Sequence, residues 1–174
     1  MNTANKLTML RVALIPVFLT VLYIGFPFSN YAAIVIFIVA GVTDIVDGYI
    51  ARSRGQVTDF GKLMDPLADK MLVVSAMLWF VEQGVFPAWA ALVVLIREFM
   101  ITAVRMIARG KGRVISAGML GKIKTVVTMV ILPFLFLPLE QWMVYSCVGA
   151  IVLTTVVSGV EYVIKNRDVM DWKT

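Results

Sequence analysis

Asp44, Asp47, Asp65 and Asp69 sit where charge is costly, at the edges of long apolar runs, with Gly48, Arg52 and Gly61 among them. The first two are spaced i, i+3 and the second two i, i+4, so on helices each pair shares one face. Gly48 and Arg52 extend the Asp44 stripe, and Gly61 begins the Asp65–Asp69 stripe. A glycine beside each acidic face lets another group approach the backbone closely. Two divalent ions would balance four carboxylates, and an all-oxygen donor set suits magnesium or manganese. Two such ions can clamp the attacking and leaving oxygens of a phosphoryl transfer. Arg52 adds a forked donor for phosphate, so a nucleotide diphosphate would meet these needs. The alternative is structural: acids at helix ends, tied to Lys62 and Lys70.

The rest of the composition narrows the chemistry. There is no histidine in the 174 residues, so a general base must be a carboxylate, lysine or tyrosine. The single cysteine, Cys147, lies in an apolar run and can form no internal disulfide. Hydrophobic residues make up 60% and charged residues 16%, and the mean hydropathy is +0.90. A soluble domain averages about 45–50% apolar and about 25% charged. These values predict an all-α integral membrane protein. A spanning helix takes roughly 20 residues, so about six fit with little left for loops or a second domain.

Breaks in the apolar pattern place six spans near 7–24, 31–51, 61–82, 88–109, 117–137 and 141–163, within one domain covering 1–174. Arg11 interrupts the first run and no small-x-small cleavage site follows, which favours a retained helix over a signal peptide. Lys6, Arg11, Arg52, Arg54, Arg109, Lys111, Arg113, Lys165, Arg167 and Lys173 fall at one set of helix ends. The loops around Pro27, Gly84 and Pro138 carry no lysine or arginine. The positive-inside rule therefore puts both termini, and all four aspartates, on the cytoplasmic side. The net charge of +5 reflects this asymmetry and an affinity for anionic lipid headgroups, not a nucleic-acid surface.

The stretch from Asp44 to Asp69 reads D-x2-D-G-x2-A-R-x8-G-x3-D-x3-D, through Gly48, Ala51, Arg52 and Gly61. It resembles the signature of the CDP-alcohol phosphotransferase family at every position. That resemblance implies a dimeric six-helix membrane fold with a polar active-site cavity open to the cytoplasm, in a bacterial cell membrane. It implies two Mg2+ or Mn2+ ions held by Asp44, Asp47, Asp65 and Asp69. Asp69 would also be the base on the acceptor hydroxyl, while Gly48, Arg52 and Gly61 would line the CDP moiety. The implied reaction is attack of an alcohol on the β-phosphate of a CDP-linked lipid, with CMP leaving.

Looser segments, Asn5–Pro16, Ile96–Arg105 and Gly121–Thr125, resemble the bacterial phosphatidylglycerophosphate synthase branch of that family. The substrates implied are CDP-diacylglycerol and glycerol 3-phosphate. Ala4 stands where that branch often has proline, and Thr128 where glutamine is common; the second departure bears on one polar contact to the acceptor. A phosphate monoester needs cations. Glu98, Thr102, Arg105 and Arg109 share one face of the fourth span, and Lys122 and Lys124 lie just inside the fifth. Arg105, Arg109, Lys122 and Lys124 are the expected phosphate-binding set, with Arg113 and Ser116 as further candidates and Glu98 as an anchor for one cation. Three rival acceptors keep the chemistry: phosphatidylglycerol, as in cardiolipin synthesis, inositol phosphate and serine. A small ion or proton transporter would use the aspartates as a relay, but it leaves Gly48, Ala51, Arg52 and Gly61 unexplained.

Overall fold

The computed structural model describes the backbone of residues 3–53, 59–116 and 118–168, and the side chains of 9–43, 70–116 and 118–168. Six helices and no strands occur among the described residues: α1 Thr3–Ile24, α2 Ser29–Ser53, α3 Asp59–Glu82, α4 Ala88–Gly110, α5 Met119–Phe134 and α6 Gln141–Lys165. Glycines in the left-handed region close three of them. Gly25 at φ 66° and Gly84 at φ 69° follow α1 and α3. After α4, Gly112 at φ 71° permits a Schellman closure, in which Gly112 N–H donates to the Arg109 carbonyl and Arg113 N–H to that of Ala108.

Five of the six helices extend over the expected spans to within a few residues, and α5 is the shorter one. It has 16 residues against the expected 117–137. Pro133 stands in its last turn, and the chain then tightens, with Leu135, Phe136 and Leu137 each donating to the carbonyl three residues back. By length and apolar composition together, only α6 is sufficient to cross a bilayer among the described residues. Of the others, α5 has 16 residues, and α4 carries Arg97, Glu98, Arg105 and Arg109 within its length.

The helices form two compact units. The first is Met1–Phe80 with Leu132–Pro138. Here α1 packs along α2, where Ala33, Phe37 and Ala40 form a buried stripe at i, i+4 and i+7. Phe18, Phe37, Phe80 and Phe136 are all buried. Phe136 meets Phe18 edge-on at 5.9 Å between ring centres and Phe80 at 4.4 Å. Arg11, one of the cations that marks helix ends in the sequence, is 1% exposed. Phe136→Ala is expected to cost about 3 kcal/mol by emptying the centre of the aromatic group. A lowered thermal midpoint in detergent, with the acceptor KM unchanged, is the result that checks it.

The second unit is Val81–Ile131 with Leu139–Thr174. Its core is the α4–α6 pair. Ala90, Val94, Ile101, Val104 and Ala108 line α4, facing Val148, Ile151, Thr155, Ser158, Gly159 and Tyr162 on α6. Thr155 and Ser158 are buried in this seam, and their hydroxyls donate to the α6 carbonyls of Ile151 and Thr155. Small and self-satisfied polar residues let two helix backbones approach in an apolar setting.

Candidate active site

Asp44, Asp47, Gly48 and Arg52 lie in the C-terminal part of α2, and Gly61, Asp65 and Asp69 in the N-terminal part of α3. Both stretches are continuous helix, so the i, i+3 and i, i+4 pairs each occupy one helix face. The side chains of these seven residues lie outside the described residues. Among the described residues no group of three or more His, Cys, Asp or Glu side chains could hold a metal ion. The four aspartates expected as ligands lie outside that set; carboxylate oxygens are hard donors of the kind Mg2+ and Mn2+ take.

The cations expected at the acceptor phosphate fall in the second unit and have different surroundings. Lys124 on α5 is buried, its side chain 6% exposed, and its Nζ donates to Glu98 Oε1 at 2.7 Å. Arg97 Nη1 donates to the same oxygen at 2.8 Å. Glu98 is further tied into α4, where Thr102 Oγ1 donates to its carbonyl. Arg105 is half-buried and lies over the Tyr162 ring, 5.7 Å from its centre. Its Nε and the Tyr162 hydroxyl are both buried with no hydrogen-bond partner among the described residues. Arg109 and Lys122 are exposed. Of the expected set, then, the structure binds Lys124 to Glu98, sets Arg105 against Tyr162, and leaves Arg109 and Lys122 at the surface.

Arg113 and Ser116 line an open cavity of about 440 Å³ together with Lys165, Asn166 and Asp168. Arg113 Nη1 donates to Asp168 Oδ2 at 2.7 Å across it, and Lys165 pairs with Glu161 one turn back. Thr128, the position that departs from the branch pattern, is 2% exposed one turn beyond Lys124, and its hydroxyl has no partner among the described residues. Sequence reasoning missed Tyr162, Lys165, Asn166 and Asp168 as neighbours of these cations. It had one usable signal for α6, the run of Thr155, Ser158 and Gly159 at small-residue spacing in an apolar helix.

Residues 1–160 match the family model described as CDP-alcohol phosphatidyltransferase. The chain belongs to this family. The match includes both aspartate pairs on α2 and α3 and every cation discussed on α4 and α5. Within the family, the chain is 38% identical to the CDP-diacylglycerol--glycerol-3-phosphate 3-phosphatidyltransferase of Bacillus subtilis, over 97% of each chain. It is 37% identical to the Escherichia coli K12 protein of the same name, over 90% of this chain and 88% of that one. A probable phosphatidylglycerophosphate synthase of Mycobacterium tuberculosis is 39% identical, over 93% of this chain and 80% of the relative.

Proposed function

We propose that this family member transfers the phosphatidyl group of CDP-diacylglycerol to glycerol 3-phosphate, yielding phosphatidylglycerophosphate and CMP. The observation that carries the reading is near-full-length similarity to relatives bearing that activity in their names. The eight-residue aspartate pattern on α2 and α3 lies inside the family match. In the reaction, the acceptor hydroxyl oxygen forms a bond to the β-phosphorus. The bond from that phosphorus to the oxygen it shares with the α-phosphate breaks, and CMP departs with that oxygen.

Each residue has a task in this reading. Asp44, Asp47, Asp65 and Asp69 would hold two Mg2+ or Mn2+ ions, which when bound supply Lewis-acid stabilisation of the phosphate charge. Asp69 takes the proton from the acceptor hydroxyl. Gly48 and Gly61 keep their helix faces open to the CDP moiety, and Arg52 donates to the diphosphate. Arg105, Arg109, Lys122 and Lys124 attract and hold the phosphate of the acceptor.

The same reading places the chain in a bacterial cell membrane as a six-span homodimer with both termini cytoplasmic. Single helices support the direction. Exposed Trp142 and Tyr145 stand at the start of α6 and Lys165 at its end; on α4 exposed Trp89 precedes Arg109. Aromatics favour the membrane interface, and basic residues concentrate on the cytoplasmic side.

Pure protein supplied with CDP-diacylglycerol and labelled acceptors tests the assignment. Label from glycerol 3-phosphate is expected in lipid. Incorporation of phosphatidylglycerol or inositol phosphate in its place would overturn it. Lys124→Ala is expected to raise the KM for glycerol 3-phosphate by about ten- to a hundredfold, the worth of one hydrogen bond to a charged group. An effect confined to the CDP-diacylglycerol KM would move Lys124 to the donor side.

A further inference from the structure

Arg97 and Glu98 are consecutive on α4, and no step of the proposed reaction uses either. Yet they enclose the most buried of the acceptor cations. Glu98 Oε1 accepts from Lys124 Nζ at 2.7 Å and from Arg97 Nη1 at 2.8 Å, and the three side chains are 6%, 19% and 11% exposed for Lys124, Glu98 and Arg97. The fold makes room for the arginine on two other helices. A Cβ at Gly159 of α6 would stand 3.1 Å from Arg97 Cγ, and one at Gly121 of α5 would stand 3.5 Å from Arg97 Nη2.

Packing alone does not account for this arrangement. A methionine would fill the Gly159 groove with no charge to desolvate. Arg97 instead brings a guanidinium whose Nε is buried with no partner among the described residues. What the guanidinium supplies is a second donor on the carboxylate that holds Lys124. A lysine ammonium rides on a flexible four-carbon stem. A carboxylate that also accepts from Arg97 Nη1 is a more rigid anchor for it, and two cations sharing one carboxylate keep the group positive. Such a group favours a phosphate-bearing acceptor over a neutral alcohol.

We propose that Arg97 and Glu98 are positioning residues that fix the Lys124 ammonium for a phosphate-monoester acceptor, a role that rests on the acceptor assignment given above. Full-length protein in mixed micelles with CDP-diacylglycerol and varied glycerol 3-phosphate tests it. Glu98→Gln is expected to raise the acceptor KM about tenfold while the CDP-diacylglycerol KM stays within about twofold. Because Glu98 acts through Lys124, the double variant Glu98→Gln/Lys124→Ala should match Lys124→Ala alone in acceptor KM. Arg97→Lys keeps the charge and loses the planar guanidinium whose Nη1 holds Glu98, and should raise the acceptor KM about threefold. An unchanged acceptor KM in Glu98→Gln, or additive effects in the double variant, overturns the proposal. If Glu98→Gln does not fold, Arg97→Lys carries the test, and an unchanged acceptor KM there overturns it equally. Wild-type protein that turns over CDP-diacylglycerol only with other acceptors overturns the acceptor assignment itself, and the proposal with it.

Discussion

Asp69→Asn is expected to lower turnover by about 10²–10⁴-fold, the range that a positioned general base contributes, while CDP-diacylglycerol still binds. The asparagine keeps the size of the side chain and a carbonyl oxygen for a cation, but it cannot accept the proton of an attacking hydroxyl. No histidine exists anywhere in the chain to stand in for it. The three remaining aspartates keep most of the negative charge that attracts divalent cations, so donor binding should outlast catalysis. Turnover with saturating glycerol 3-phosphate, set beside equilibrium binding of CDP-diacylglycerol, separates the two effects. Asp65→Asn is the informative companion: it removes a carboxylate one turn away on the same helix face and is expected to weaken donor binding as well. A wild-type rate in Asp69→Asn would remove that residue from the mechanism.

What could be read in advance follows the range of the interactions concerned. The helices were legible because apolar runs and breakers are local: Gly25, Gly84 and Gly112 end helices through their own backbone angles. The length of α5 was harder, because an apolar run continues through Leu135, Phe136 and Leu137 while the backbone leaves the α-helix after Phe134. The aspartate pattern was legible because its spacing is written within a single stretch of two helices. The surroundings of the cations were not. Glu98 and Lys124 are 26 residues apart, and that Arg97 turns to the same carboxylate depends on the space left by Gly121 and Gly159. Spacing identified Glu98 as an anchor but left Arg97 without a task. Arg11 shows the converse: as a charge it marks a helix end, whereas its side chain is buried.

Removing divalent cations from the purified protein is expected to abolish turnover, by more than about a thousandfold, and adding Mg2+ or Mn2+ to restore it. Metal stabilisation of phosphate charge is worth several kcal/mol, and each 1.36 kcal/mol is tenfold in rate. Four carboxylates gathered at the proposed site would repel one another without counter-ions, so the same additions should raise the thermal midpoint, through preferential binding to the folded state. That second readout distinguishes a cation held by the protein from one merely carried in on the CDP-lipid. With no lipid present, the midpoint should rise in wild type and rise less in Asp44→Asn or Asp65→Asn. Chelation that leaves turnover intact would return the aspartates to helix-end acids tied to Lys62 and Lys70. Phosphoryl transfer by this chain would then need a source of positive charge that Arg52, on α2, is too little to supply alone.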